Sequence, residues 1–288
     1  MSAAQLAARG RPDVIRRAAS IGPLYVFCGV VCLALIVVAV VGPWIAPHDP
    51  TRTDVIEVFA GSSPTHLLGT DDTGRDILSR LIVGTRVSLA GPALVVLLST
   101  VLGVAVAVTA AWLGGWVDAA LSRVVDILFA FPGLILAVVA VALFGTGFVS
   151  PVVALSIAYV PVVARVLRSA AIKERNLPYI AALRVQGASG WSICFKHLVP
   201  NLMPLVVAQA AVSFGYAMLD LAAISYLGLG IQPPSPDWGV MVAEGQPSII
   251  NGYPQQSLYA GLLVVVAVVA FNLVGERVAQ RFETAGAR

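Results

Sequence analysis

The sequence predicts an all-α integral membrane protein with six transmembrane helices, and three observations carry that prediction. Hydrophobic residues make up 58% of the 288 and charged residues 11%, with a mean hydropathy of +0.89. Soluble domains carry about 25% charged residues, so water has too little polar surface to solvate here, whereas a bilayer accepts the apolar excess. Runs free of Asp, Glu, Lys and Arg occupy 18–47, 87–117, 127–164, 198–219 and 245–275. Each reaches the roughly 20 helical residues that cross a hydrocarbon core about 30 Å thick. The alternating ten-residue pattern of a membrane barrel is absent, which leaves helices to pair the backbone amides inside lipid.

Taken in order, the first helix is expected at 23–42. Arg9, Arg11, Arg16 and Arg17 before it mimic a signal peptide. The apolar stretch is longer than a signal core and no small-x-small cleavage site precedes Pro43, so it reads as an uncleaved helix rather than a leader or twin-arginine signal. A polar segment rich in Pro, Asp and Thr follows over about 43–80, and a second helix at 87–111. The run 127–164 has a breaker near its middle, Gly145-Thr146-Gly147 followed by Ser150-Pro151, and divides into helices at 122–144 and 150–170. Pro132 and Pro161 are expected to kink them. The last two helices fall at 201–227 and 257–275. The chain thus divides into 1–80 (tail, first helix and external segment) and 81–288 (a five-helix core).

Basic residues set the orientation. Arg52, Arg75, Arg80 and Arg86 fall on one side, which leaves 14 of the 18 Lys and Arg for the side with both termini, loop 112–121 and loop 171–200. That side is expected to be cytoplasmic, in a bacterial plasma (inner) membrane. The net charge of +3 reflects these loops, and no basic run with interleaved aromatics suggests nucleic acid. Cys28, Cys32 and Cys194 form no C-x-x-C pattern; the first two share a helix face as small apolar residues. His66 and His197 fall on opposite sides of the membrane, so no metal site is expected.

Loop 171–200 is the longest expected on the cytoplasmic side. Pro178 suits the first turn of a short helix, Tyr179 to Gln186 continue it and Gly187 ends it. Ala181 and Ala182 keep part of it slim, while Arg184 and Lys196 offer charge. Such a helix either docks a partner or braces the fourth and fifth spans; the residues alone allow both.

The spacing here resembles that of importer permeases of the ATP-binding-cassette class, whose loop reads Glu-Ala-Ala, three residues, Gly, nine residues, Ile-x-Leu-Pro. Gly187 is followed by nine residues and His197-Leu198-Val199-Pro200, with Ala181, Ala182 and Leu183 at the leading positions. The glutamate is missing, and Ala181 stands in its place. His66-Leu67-Leu68-Gly69-Thr70-Asp71-Asp72-Thr73-Gly74-Arg75-Asp76, continuing to Arg80 and Arg86, resembles the segment before the second helix in dipeptide, oligopeptide and nickel permeases. Tyr226-Leu227-Gly228-Leu229-Gly230, Pro233-Pro234, Trp238-Gly239 and Ala243-Glu244-Gly245 resemble their last external loop. The arrangement is similar to a C-type dipeptide permease.

The resemblance implies a type I importer permease with a cytoplasmic coupling helix. It would work with a second homologous permease, two ATPase subunits that bind ATP and Mg, and an external substrate-binding protein. This chain has no G-x-x-x-x-G-K-[ST] loop, so no nucleotide cofactor or catalytic residue is expected in it. The coupling loop would use Tyr179, Ala181, Ala182, Arg184, Gly187, Ala188, Ser189, His197 and Pro200. Asp220, costly inside a span, shares a face with Gln209, Ser213 and Tyr216. That face would line the translocation path or pack against the sister permease, with Ser156 and Tyr159 as further path candidates. Asp71, Asp72, Arg75, Asp76, Trp238 and Glu244 would form an external docking or gating surface, or else the turns that fold the segment. Dipeptides or short peptides are the expected substrates, with nickel complexes or glutathione as alternatives. A self-sufficient secondary transporter is the rival class; it needs coupling residues in several spans, and Asp220 is the sole one.

Overall fold

The computed structural model describes residues 22–286, with no side-chain description at 279 or from 281 onward. The arginines of the N-terminal tail, Arg9, Arg11, Arg16 and Arg17, lie outside the described residues. The chain runs α1 (Pro23–Ile45), α2 (Ile77–Leu113), α3 (Gly115–Phe129), α4 (Gly133–Phe144), α5 (Val149–Arg175) and α6 (Pro178–Val185). Then come α7 (Gly190–Ile193), a π-helical stretch Cys194–Leu198, α8 (Val199–Tyr226), α9 (Trp238–Ile250) and α10 (Gln255–Gly286). Among the described residues there is no strand, only an isolated bridge between Thr70 and Asp76. Helices α1, α2, α5, α7 continuing into α8, and α10 are long and apolar enough to cross a membrane, and the bent pair α3–α4 makes a sixth crossing if taken as one.

Three elements differ from the expectation. The third span is not one helix over 122–144: α3 stops at Phe129, α4 restarts at Gly133, and the two are bent by 81°. Pro132 has no amide hydrogen and pushes the residue before it out of the helical region; it stands in extended conformation as the N-cap of α4. Pro161, by contrast, sits inside an unbroken α5. Helix α2 begins at Ile77, ten residues before the charge-free run does. The Asp76 carboxylate accepts the Ser79 amide at 2.8 Å and its hydroxyl at 2.6 Å, and this cap starts the helix despite Arg80 and Arg86. Finally, the last loop contains α9, capped by Asp237 and too short to register as a span.

Helix α2 is the mast of the bundle. Its 37 residues make a rod about 55 Å long, so it overruns the hydrocarbon at one or both ends. Near its start, Ile77, Leu81 and Leu89 pack with Met218, Trp238, Met241 and Val264 of α8, α9 and α10. Midway, Val95 and Val96 meet Ala137 of α4, Val152 and Leu155 of α5 and Ile224 of α8. At its far end Ala107 and Ala111 meet Leu167 and Ala171 of α5, and Leu198 and Leu202. Helix α1 packs on α2 and α10 along one side only, burying Cys28, Cys32 and Gly42; both cysteines pack on Ala270 of α10. Its Phe27, Leu33 and Val40 are left exposed, as lipid contact requires.

Candidate functional site

The loop between α5 and α8 folds as a short helix tied down on one side. Pro178 opens α6 where its missing N–H costs nothing. Gly187 closes it at φ +81°, a conformation that strains L side chains. Its N–H donates to the Arg184 carbonyl, and the Ala188 N–H to the Leu183 carbonyl, both at 3.0 Å. Ser189 then caps α7 through the Ser192 amide. Ile180 is fully buried. The Tyr179 hydroxyl donates to Glu174 of α5 at 2.6 Å, while Asn201 of α8 donates to the same carboxylate oxygen at 2.7 Å and to the Tyr179 oxygen at 2.9 Å. Burial, then the Glu174 carboxylate, push the Tyr179 hydroxyl up to about 12. The Arg184 guanidinium lies over the Trp112 ring at 4.6 Å, and His197 meets Tyr179 edge-on.

The outer side is bare. Ala181, Ala182, Gln186, Gly187, Ser189 and Pro200 are exposed, and Val185 is 90% exposed. Arg184 is exposed beside them and Ala188 half-buried. A slim ridge, charged at Arg184, therefore stands out from the bundle on a base braced against α2, α5 and α8.

The expected face of α8 splits. Ser213 is buried and accepts from Gln209 at 3.3 Å, whereas Tyr216 points outward at 62% exposure. The Tyr159 hydroxyl of α5 donates to the Asp220 carboxylate at 2.9 Å, which joins candidates chosen from two different spans. Ser156 is buried and donates back to the Val152 carbonyl, so its hydroxyl serves its own helix.

At the start of α2 the charges turn inward. Asp71 accepts the Thr73 and Arg75 amides at 2.9 Å each and the Arg75 Nε at 2.6 Å. Glu244 of α9 receives Arg80 at 2.6 Å and Arg75 at 3.3 Å. The Trp238 indole donates to the Leu81 carbonyl at 3.1 Å. Asp71, Arg75, Asp76 and Trp238 are all buried, so these four present no face to an arriving protein, and their bonds fold the segment onto α2 and α9. Asp72 is the exposed member and Glu244 is half-buried; burial, and then the charge of Asp71, raise the Asp72 carboxyl above its ordinary value. Gly74, at φ +77°, has the Asp54 backbone where a Cβ would stand.

Comparison with known proteins places the chain. Residues 99–285 match the family described as binding-protein-dependent transport system inner membrane component, and residues 23–62 match the N-terminal TM domain of oligopeptide transport permease C. The chain belongs to this permease family. The permease is 36% identical over 252 residues to a glutathione transport system permease protein of Pectobacterium atrosepticum, covering 87% of this chain and 83% of that one. It is 38% identical to a di/tripeptide transport system permease protein of Pseudomonas aeruginosa (85% and 82% covered). It is 33% identical to a dipeptide transport system permease protein of Alkalihalophilus pseudofirmus (86% and 81% covered). The larger match takes in α6 and the Tyr159–Asp220 pair, so the permease carries both in the region that defines the family.

Sequence reasoning missed the partners that hold these residues. Glu174 and Asn201 anchor α6 of the permease from the flanking spans, and Trp112 receives Arg184 from the end of α2. Arg80 follows on the motif at 66–76, but its partner lies 164 residues on. His48 gave no signal, because its neighbour His66 is 18 residues away in a spacing with no metal pattern; the structure sets the two rings 4.7 Å apart.

Proposed function

We propose that this permease is one of two homologous membrane subunits of an ATP-driven importer that carries dipeptides and other short peptides into a bacterial cytoplasm. Two ATPase subunits grip α6 from the cytoplasmic side, and an external binding protein delivers substrate. The supporting observation is the ridge of α6, bare outward and braced inward. A partner pushing on Ala181, Ala182 and Val185 moves a body tied through Tyr179, Glu174 and Asn201 to both α5 and α8. Those two helices also carry Asp220 and Tyr159, so closure of the ATPase pair is transmitted to the polar face of the path. A two-state bundle biased by a ligand is what such coupling requires. Because Ala181 supplies no carboxylate, the grip relies on shape and on Arg184.

Peptide substrates are supported by the names of the three relatives, and glutathione, itself a short peptide, falls in the same chemical class. Two measurements test the reading. Gly187→Leu, which a positive φ disfavours, is expected to release the ATPase subunits on purification while the permease remains in the membrane; full retention would mean that α6 braces and does not dock. Uptake of labelled dipeptide and labelled glutathione, with and without this chain, then reads the substrate directly. If neither depends on the chain, the peptide assignment fails.

A further inference from the structure

The segment between α1 and α2 gathers three groups of metal-ligand type, His48, His66 and the α2 cap Asp76, and the transport reading gives the two histidines no role. His48, just beyond α1, donates its amide to the Ser79 hydroxyl at 3.0 Å, which hangs its ring over the start of α2. His66 Nδ1 lies 2.9 Å from Asp76 Oδ1, and His48 Nδ1 lies 3.9 Å from Asp76 Oδ2. The two imidazoles are tilted 31° at a centroid distance of 4.7 Å. One ligand atom from each residue falls within 4.8 Å of the others. Ligands held about 2.1 Å from one ion stand about 3.4 Å apart in a tetrahedron, so modest rotation of the exposed His48 ring closes the set.

The second observation is Glu57. Its carboxylate lies 2.6 Å from His66 Nε2, on the far side of the ring from Asp76. A carboxylate behind a histidine fixes the tautomer in which the other nitrogen offers its lone pair, the arrangement that supports metal-bound imidazoles. Asp76 is itself fixed by Ser79, and its side chain is only 2% exposed.

We propose that His48, His66 and Asp76 form a binding site for one first-row divalent ion, zinc(II), with Glu57 orienting His66. Two imidazoles and one carboxylate suit zinc and exclude Mg²⁺ and Ca²⁺, which take oxygen. The fourth position opens beside His48 toward solvent. The ion ties the exit of α1, the connecting segment and the cap of α2 into one unit, independently of what the permease carries.

The test takes the full chain, purified in detergent and stripped with chelator, and titrates it with ZnCl₂, with MgCl₂ as control. Saturable binding of one Zn²⁺ per chain and a higher melting temperature are expected, with no response to Mg²⁺. His48→Ala should melt like the stripped wild type yet bind Zn²⁺ at least about tenfold more weakly, and Glu57→Gln should fall about 10–100-fold. Co²⁺ titration, read by visible absorption, reports coordination apart from folding. Absence of stoichiometric binding would leave His66 as an ion-paired imidazolium between Asp76 and Glu57, and equal binding by His48→Ala would put the metal elsewhere; either result overturns the site.

Discussion

Arg80 sits inside α2 with a fully shielded side chain, 2.6 Å from Glu244 and 3.8 Å from Asp71. Its Nε finds no hydrogen-bond partner among the described residues, so the Glu244 contact has little in reserve. Breaking a buried pair by removing one member costs about 3–5 kcal/mol, because the other charge stays desolvated. Exposed pairs are worth about 0–1 kcal/mol. Glu244→Ala is therefore predicted to destabilise the permease by about 3 kcal/mol, since Glu244 is only partly enclosed, and Asp72→Ala by less than about 1 kcal/mol. Thermal melting in detergent distinguishes them; equal losses would show that the Arg80 pair is as weak as a surface one. Tyr159 and Asp220 form the matching contact within the spans. Tyr159→Phe leaves a half-buried carboxylate short of a donor, at a cost of about 1 kcal/mol, the low end for an unsatisfied group.

At the scale of elements, α6 is short enough that its own helical bonds cannot keep it folded, so its tie to the spans decides what it transmits. Tyr179→Phe keeps the exposed ridge but loses the hydroxyl that meets Glu174 and Asn201. The predicted outcome is unchanged copurification of ATPase subunits with uptake per complex lowered about fivefold, the equivalent of one hydrogen bond of about 1 kcal/mol. Unchanged uptake would mean that Ile180 packing alone carries the force. This helix was legible because Pro178 and Gly187 punctuate it locally. The break between α3 and α4 was half legible: Pro132 was visible, whereas the packing of α3 on α2 and α5, and of α4 on α5 and α8, was not. The early start of α2 was hidden because a hydropathy run ends at a charge, while a capped helix continues through Arg80 once Glu244 neutralises it. Candidate sites followed the same rule. Tyr159 and Asp220 were each flagged by polarity inside a span, whereas the pairing of His48 with His66 exists only after the segment folds back on α2.

For the whole molecule, α2 fixes which surfaces share a side of the membrane. The segment 46–76 gathers at its start, and α6 leans on Trp112 at its end, so the two lie at opposite ends of a rod about 55 Å long. We infer from the count of basic residues that α6 lies inside, where the importer reading needs it. Two exposed positions report each end: Val185 on α6, at 90%, and Val55 in the connecting segment, at 87%. The native Cys28, Cys32 and Cys194 are all buried, so an introduced thiol stands out against a quiet background. Val55→Cys is predicted to react with a membrane-impermeant maleimide in intact spheroplasts, and Val185→Cys only after the membrane is opened or inverted. Both side chains project into solvent from positions without packing partners to lose, so each variant should fold. The reverse labelling pattern would put the ridge outside the cell, beyond reach of any cytoplasmic ATPase, and no adjustment of the pore or substrate assignment would recover the importer mechanism.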